Sequence, residues 1–308
     1  MSIIKIDDVA YVRFRAPDLG EMRTYLEEFG LAVAASDDNR LFMRGTGTAP
    51  FLHATEKGEP GFAAVGFRAK SLGDLHTLAK ATDTKVEPLD APGGGSVVRL
   101  TDPDGFTVEV VAGQAMSNAA TFDARAPWNH AEDRARFRAV KRVSGGPAHV
   151  LRLGHCVLNV SNFRASEAWY KDHLGFLTSD EIAVSPEFSI GAFMRCDRGD
   201  QPADHHTLFI IQGPRGKGFN HAAFEVRDLD DLMTGHDHLK SKSRHAEWGI
   251  GRHILGSQVF DYWRDPWGHT LEHWTDGDLF TADDPPGKVG LPELLGVQWG
   301  PNAPPTMA

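Results

Sequence analysis

The sequence predicts an α+β fold of two domains, each a curved mixed sheet around an interior site. The chain has 308 residues, which is enough for two domains of ordinary size. Strand-like and helix-like segments alternate in one order, and that order occurs twice in each half. A hairpin with an Asp-Pro-x-Gly turn closes both halves, as "VRLTDPDGFTVEVV" and "DYWRDPWGHTLEHW".

The first unit of each half reads as a strand, a turn and an amphipathic helix. The two segments are "VAYVRFRAPDLGEMRTYLEEFGL" and "LGHCVLNVSNFRASEAWYKDHLGF". Gly30 and Gly175 stand where these helices would end, because glycine readily adopts the left-handed conformation that closes a helix. Ser161 or Asn162 would cap the start of the second helix.

The second unit of each half begins with "GFAAVGFRAKSLGDLHTLAKAT" or "GFNHAAFEVRDLDDLMTGHDHLKS", each a strand followed by a helix. The Asp-Pro-x-Gly hairpins complete these units. We therefore predict an N-terminal domain over residues 1–115, a charged connector over 116–150 and a C-terminal domain over 151–280. Residues 281–308 are expected to form a tail, ending in the loose "GPNAPPTMA".

Composition and charge argue against several classes of function. The chain is 41% hydrophobic and 24% charged, as in a globular protein, and its formal net charge of −10 disfavours a nucleic-acid partner. No signal peptide and no membrane span are predicted from the pattern. Two cysteines, Cys156 and Cys196, cannot build a disulfide framework, so we expect a cytoplasmic protein. Exposed edge strands would favour a homo-oligomer.

The C-terminal hairpin places an acid inside its second strand. Its Pro and Gly suit a type I turn with a Gly bulge, in which Asp265 and His269 close the loop. Counting outward from that pair places Tyr262 opposite Glu272, so the two side chains share one face of the sheet.

The same count in the N-terminal hairpin places Arg99 opposite Glu109. Glu109 is then explained as half of a cross-strand ion pair. Glu272 faces no arginine and needs another partner, because an unpaired buried carboxylate is unfavourable by several kcal/mol.

Aligning the halves identifies candidate partners for Glu272. The second half carries His155, His221 and Glu272 where the first half carries Tyr11, Ala64 and Glu109. Two neutral imidazoles and one carboxylate on adjacent strands occupy one face of an octahedral Fe(II) or Mn(II) ion and leave the other positions open. We therefore predict a metal site in the C-terminal domain, with Fe(II) expected and Mn(II) also compatible.

Each of these residues also has a plainer interpretation. A histidine in an apolar strand is more often a hydrogen-bonded core residue than a ligand, and Glu272 alone would fit an ion pair with an arginine elsewhere. Their occurrence together at equivalent positions of a duplicated unit favours the metal site.

With these residues identified, the chain resembles the type I extradiol ring-cleavage dioxygenases of the vicinal oxygen chelate superfamily, such as dihydroxybiphenyl and catechol 2,3-dioxygenases. The resemblance covers nearly the whole chain. It implies two domains of two βαβββ modules each, with iron only in the C-terminal domain. It also implies that His155, His221 and Glu272 are the iron ligands.

Three further site residues are implied by the same resemblance. "DHHTLFII" resembles the family's strand whose second histidine is the acid/base catalyst, here His206. "GIGRHILG" resembles a loop that carries another active-site histidine, here His253, and "VFDYW" supplies the matching tyrosine, Tyr262. One departure stands out, since Gly256 lies where the family often has an acidic residue.

The implied activity inserts O₂ next to the vicinal diol of a catechol-type aromatic and yields a ring-opened semialdehyde or keto acid. Its partners would be a small aromatic diol and O₂. Two alternatives share the fold. A glyoxalase-like isomerase or epimerase commonly uses a fourth protein ligand and needs no O₂, whereas a non-enzymatic binding protein of the antibiotic-sequestering type would bind no metal. Three ligands, together with His206, His253 and Tyr262, favour the dioxygenase.

Overall fold

The computed structural model of the protein describes residues 2–123 and 126–306, which form two large mixed sheets. The elements of the first half are β1 (Ile6–Ala16), α1 (Leu19–Phe29), β2 (Ala32–Ser36), β3 (Arg40–Arg44), β4 (His53–Lys57), β5 (Gly61–Ala69), α2 (Leu72–Ala81), β6 (Val86–Pro88), β7 (Ser96–Thr101) and β8 (Thr107–Ala112). Its eight strands pair in the order β2-β3-β4-β1-β5-β8-β7-β6.

The second half repeats this arrangement and extends it. Its elements are β9 (Val150–Asn159), α3 (Phe163–Leu174), β10 (Phe176–Ser185), β11 (Phe188–Cys196), β12 (Ala203–Asp204), β13 (Leu208–Ile211), β14 (Gly218–Val226), α4 (Leu229–Ser241), β15 (His245–His253), β16 (Val259–Arg264), β17 (Thr270–Thr275), β18 (Leu279–Phe280), β19 (Gly287–Val289), α5 (Leu291–Leu295) and β20 (Val297–Trp299). Ten of these strands pair in the order β19-β10-β11-β13-β9-β14-β17-β16-β15-β20, while β12 pairs with β18.

Both sheets consist of two βαβββ modules joined along an antiparallel pair. In the first sheet β1 pairs with β5, and in the second β9 pairs with β14. Each module closes with a parallel contact, such as that of β1 with β4 or of β14 with β17. The predicted α+β fold of repeated modules is confirmed.

The helices that open each half begin and end as their sequences predict. In α1 the Asp18 side chain accepts hydrogen bonds from the first turn, and the helix ends at Gly30 with φ 107°. Asn162, one of the two predicted caps, begins α3 in the same way, and that helix ends at Gly175 with φ 74°. Glycine suits both ends because positive φ strains other residues.

One hydrophobic core runs through both halves. Phe29 of α1 stacks on His273 of β17 with ring centroids 3.8 Å apart, and Phe14 meets Phe219 edge-on at 5.0 Å. Such aromatic contacts add stabilisation beyond the area that they bury. His273 thus contacts the first half, on the face of its strand opposite to Glu272, as the alternation of a strand predicts.

The C-terminal segment differs from the expected tail. Strand β19 pairs in parallel with β10, and β20 pairs antiparallel with β15, so this segment covers both edges of the second sheet. Trp248 also donates its indole N–H to the carbonyl of Pro301, at 2.9 Å. Strands of three residues are too short to show a periodicity, which is why the sequence did not predict them.

The segment between the sheets has neither a helix nor a regular strand in its described parts, residues 113–123 and 126–149. This agrees with a connector, although the domain boundaries at 115, 150 and 280 stay predictions. Within the described residues, no helix combines the length and the apolar character needed to cross a bilayer.

Candidate active site

The two closing hairpins have the register that the sequence predicts. Tyr262 pairs with Glu272 across β16 and β17, and Arg99 pairs with Glu109 across β7 and β8. The C-terminal turn contains Gly268 at φ 87°, which is the left-handed conformation that the bulge requires. Both acids therefore lie inside a strand, where their side chains face the interior of the curved sheet.

The central strands of the two sheets match residue for residue. In the second sheet His155 pairs with Ala223, which pairs in turn with Glu272. In the first sheet the equivalent residues pair in the same way, because Tyr11 pairs with Gly66 and Gly66 pairs with Glu109. A Cβ atom on Gly66 would lie 2.6 Å from the Tyr11 ring, so the glycine makes room for the phenol. The phenol occupies the position that His155 has in the second half.

Glu109 is fully paired in the first sheet. Its carboxylate accepts a hydrogen bond from the Tyr11 hydroxyl at 2.7 Å. It also forms ion pairs with Arg99 at 2.9 Å, as predicted, and with Arg13 at 3.2 Å. Because two guanidinium groups balance this one buried carboxylate, Glu109 has no unbalanced negative charge to attract a cation.

The second sheet brings His155, His221 and Glu272 together. The Nε2 atoms of the two histidines lie 3.3 and 3.4 Å from Oε2 of Glu272, and one potential ligand atom of each residue lies within 4.8 Å of the others. All three residues are buried, Glu272 completely. Neither carboxylate oxygen of Glu272 has a hydrogen-bond partner among the described residues.

This donor set fits a divalent cation. Neighbouring ligands of an octahedral ion are about 3 Å apart, which is close to the spacing of these nitrogens and oxygen. Burial lowers the pKa of His155, so its imidazole is neutral and can donate a lone pair. Burial alone would raise the pKa of Glu272, but the adjacent imidazoles of His155 and His221 outweigh it and hold the pKa below its usual range. A bound cation would satisfy the two unpartnered oxygens.

Two asparagines that sequence reasoning missed hold His221 in place. Its Nδ1 lies 2.8 Å from Oδ1 of Asn220, whose amide donates to Oδ1 of Asn159 at 3.1 Å. An Nδ1–H that donates to this oxygen leaves the Nε2 lone pair directed at Glu272. Asn220 directly precedes His221, but nothing in the sequence pattern indicates that it contacts the imidazole.

His206 lies beside the candidate ligands, with its ring centroid 4.0 Å from that of His155. Its Nδ1 is 3.1 Å from Nδ1 of His205, and Nε2 of His205 is 2.7 Å from the carboxylate of Asp180. If Asp180 accepts the proton of His205, then His205 accepts the Nδ1 proton of His206. The remaining nitrogen of His206 then carries a lone pair. Burial, followed by the neighbouring histidines, lowers the pKa of His206 well below its usual value.

The contact of His205 also explains the glycine at position 256. Gly256 has φ 75°, and a Cβ atom there would lie 3.0 Å from Nδ1 of His205. The left-handed backbone and the close imidazole both disfavour a side chain at this position. Where the resembling family often has an acid, this chain therefore packs the ring of His205.

His253 and Tyr262 complete the group. Nε2 of His253 lies 3.0 Å from the Tyr262 hydroxyl and 3.8 Å from Oε1 of Glu272. Burial lowers the pKa of His253 to about 4, so the ring is neutral at pH 7. Burial, with the Glu272 charge, raises the pKa of the Tyr262 phenol well above its usual value. Tyr262 is therefore a hydrogen-bond donor and not a phenolate.

All of the predicted site residues except Glu272 line one cavity of about 340 Å³. Glu272 does not line the cavity itself, but its carboxylate contacts His155 and His221, which do. The volume is within the range of small-molecule sites, about 300–1,000 Å³. Imidazoles, a phenol and one buried carboxylate thus surround a space that a small ligand can enter.

Comparison with known proteins shows what the chain is similar to. Residues 152–273 match the model of the glyoxalase/bleomycin resistance protein/dioxygenase superfamily, and this span contains every predicted site residue. The match covers most of the C-terminal half of the chain. Metapyrocatechase 2 from Cupriavidus necator is 28% identical over 97% of this chain and 90% of its own length. An iron-dependent extradiol dioxygenase from Rhodococcus jostii is 25% identical over 89% of this chain and 90% of its own.

Solved structures of the superfamily show the same fold. A Mn(II)-bound glyoxalase from Novosphingobium aromaticivorans superposes with a TM-score of 0.78 at 25% identity, over 99% of this chain and 94% of that one. Homoprotocatechuate 2,3-dioxygenase from Brevibacterium fuscum superposes with a TM-score of 0.80 at 20% identity, over 99% and 92% of the two chains. The resemblance to extradiol ring-cleavage dioxygenases is thus confirmed, while the roles of individual site residues stay predictions.

Proposed function

We propose that this protein is an Fe(II)-dependent extradiol dioxygenase that cleaves a catechol-type diol to a ring-opened semialdehyde or keto acid. The observation that carries the proposal is the buried set of His155, His221 and Glu272, whose carboxylate oxygens have no hydrogen-bond partner among the described residues. Curated relatives that span nearly the whole chain are dioxygenases of this kind, which supports it.

In this proposal His155, His221 and Glu272 hold the metal. Fe(II) bound there would supply the redox chemistry between an electron-rich diol and O₂. Mn(II) is a second possibility for this ligand set, since one relative is named iron-dependent and one structural neighbour is Mn(II)-bound.

His206 is the proposed acid/base catalyst. Because its pKa is low, the imidazole is neutral at pH 7 and its free nitrogen can accept a proton from the diol. The same nitrogen would return the proton when the ring opens. The contact with His205 and Asp180 keeps the ring in the orientation and tautomer that this exchange requires.

His253 and Tyr262 are the proposed positioning groups. Their side chains lie 3.0 Å apart at the cavity wall, where each can hydrogen-bond to a diol oxygen. A phenol that stays protonated stabilises negative charge as it develops on that oxygen. Fixed donors of this kind also align the ring for reaction.

Oxygen uptake tests the proposal. The protein is first loaded with Fe(II) in the absence of air. On addition of a catechol in aerated buffer, it should consume about one O₂ per catechol and form a yellow ring-opened product. Glu272→Gln should lose this activity, because the amide has no charge to balance the cation. Oxygen consumption that is absent in the wild type, or unchanged in the variant, would refute the proposal.

A glyoxalase-like isomerase is the second candidate, because a structural neighbour of 25% identity is described as a glyoxalase. Such an enzyme would act on its substrate without O₂. The three-residue ligand set found among the described residues, beside His206, favours the dioxygenase. Turnover of a hemithioacetal in sealed, oxygen-free solution would support the isomerase instead.

Assembly as a homo-oligomer and a cytoplasmic location accompany the proposal as predictions. Sedimentation of the purified holoenzyme tests the first, and fractionation of the source cell tests the second.

A further inference from the structure

The cavity above the candidate ligands has an apolar outer wall. Its members come from three strands, a loop and a helix of the second half: Val157, Ile190, Phe193, Phe209, Leu255 and Leu294. Phe193 and Phe209 stack face to face with centroids 3.9 Å apart, and Phe193 also meets His206 edge-on at 4.8 Å. The apolar wall therefore begins directly beside the proposed catalytic histidine.

The C-terminal segment supplies one side of this wall. Leu291, Leu294 and Leu295 of α5 all line the cavity, and β19 and β20 fix the helix at both ends by pairing with β10 and β15. Buried Arg195 anchors the chain that leads to α5, because its guanidinium donates to the carbonyls of Thr281 and Asp284 at 3.1 and 2.6 Å.

Positive charge is nearly absent from the lining. Apart from the histidines, Arg215 is the one cationic side chain among the described residues that line the cavity. Its guanidinium donates to the backbone carbonyls of Pro305 and Thr306. Both terminal nitrogens of this guanidinium are thus already hydrogen-bonded to the C-terminal segment.

Apart from the histidines, Tyr262 and Arg215, the polar side chains of the lining are uncharged amides. Gln212 accepts a hydrogen bond from the backbone N–H of Phe163 at 2.9 Å, and Asn220 donates to Asn159. Uncharged amides balance no anionic substituent. A carboxylate carried by the substrate would therefore be buried against leucine and phenylalanine without a counter-ion, which is strongly unfavourable.

We propose that the diol carries an apolar substituent, alkyl or aryl, and that α5 determines this specificity through Leu294. The inference rests on the proposed function, because it takes the diol end of the substrate to lie at His155, His221 and Glu272. The substituent then extends from the diol toward the wall that α5 completes.

Calorimetric binding to the Fe(II) holoenzyme without O₂ tests the proposal. The matched ligands are 4-ethylcatechol and 3,4-dihydroxyphenylacetate, which differ in the charge of the substituent. We expect 4-ethylcatechol to bind at least about 100-fold more tightly. Equal or tighter binding of the acid, or binding of neither ligand, would overturn the inference. Oxygen uptake with unsubstituted catechol, measured separately, reports on the proposed function alone.

Two variants localise the effect. Leu294→Ala should weaken binding of 4-ethylcatechol by about 10-fold, since the variant removes apolar contact with the ethyl group. Leu279→Ala is the matched control, because Leu279 is 61% exposed on β18 and lies outside the cavity lining. An unchanged affinity in Leu294→Ala would remove α5 from the specificity of the site.

Discussion

Glu109 and Glu272 occupy equivalent positions of two matched sheets, and their neighbours decide what each residue does. Arg13, Arg99 and the Tyr11 phenol neutralise the first carboxylate. The imidazoles of His155 and His221 flank the second, which stays ionised and without a hydrogen-bond partner among the described residues. The repeat thus places a carboxylate in both halves. Arginines neutralise the first carboxylate, whereas the second remains available to a cation.

His206→Ala tests the proposed acid/base catalyst. Placement of a general acid or base typically contributes about 10²–10⁴ in rate, so turnover should fall by that factor while the iron content stays unchanged. Oxygen uptake and metal analysis of the same sample measure both quantities. His245→Ala is the control, because that side chain is 70% exposed on β15. Turnover equal to that of the wild type would remove His206 from the mechanism.

Asp180→Asn tests whether the contact from Asp180 through His205 positions His206. Residues that orient an active-site group in this way typically contribute about 10–100-fold to activity, so kcat should fall by about that factor with KM little changed. Glu181→Gln is the control, since Glu181 is next in sequence but pairs with Arg164 at the surface. An unaltered kcat in Asp180→Asn, or an equal loss in both variants, would contradict the positioning role.

The sequence predicted the candidate ligands because a repeat exposes the positions at which its copies differ. It did not predict Asp180, Asn159 or Asn220, since these residues act through contacts between separate strands and carry no periodic signal. His206 and His253 followed from the resemblance alone, and a polar loop precedes the first of them.

Among the structural elements, the Asp-Pro-Asp-Gly hairpin of the first half also ties the halves together. The Asp102 carboxylate accepts hydrogen bonds from the backbone N–H groups of Asp104 and Phe106, each at 2.9 Å. It also accepts one from the hydroxyl of Tyr170 in α3, at 2.9 Å. One buried carboxylate thus closes a turn and binds a helix of the other half.

Asp102→Ala should therefore lower the free energy of unfolding by about 3 kcal/mol, because it leaves three hydrogen-bond donors without their acceptor. Tyr170→Phe removes only one of these hydrogen bonds and should lower it by about 1 kcal/mol. Chemical denaturation followed by circular dichroism measures both values. Equal losses in the two variants would show that the turn itself contributes nothing.

At the same scale, the sequence predicted the strands and helices of the repeated segments and the two hairpins, and it missed the short C-terminal elements. His253, expected in a loop, lies at the end of strand β15. Helices with a cap and a closing glycine, and strands of six or more residues, carry a clear pattern. Tertiary contacts position the short C-terminal elements. Strand β19 pairs with β10, β20 pairs with β15, and Arg195 binds the chain that leads to α5. Such tertiary contacts leave no local signal.

The molecule as a whole buries several neutral histidines, so its free energy of unfolding depends on pH. His53 is fully buried, and burial lowers its pKa from 6.5 to about 3. Below pH 6.5 the unfolded chain binds a proton that the folded protein excludes, so stability is present above that pH and is lost as the pH falls toward 3.

Between pH 7 and 5 this group alone should lower the free energy of unfolding by about 2 kcal/mol. Denaturation of the wild type and of His53→Gln at both pH values measures the contribution as a difference of differences. Parallel losses in the two proteins would show that His53 does not have a lowered pKa.

For the molecule as a whole, we infer that the C-terminal half binds a divalent cation through His155, His221 and Glu272, and that the N-terminal half binds none. Metal analysis of protein reconstituted with Fe(II) and desalted without air tests this most directly. We predict about one iron per chain in the wild type and in Glu109→Gln, and little iron in Glu272→Gln. Iron retained by Glu272→Gln, or lost from Glu109→Gln alone, would contradict the account.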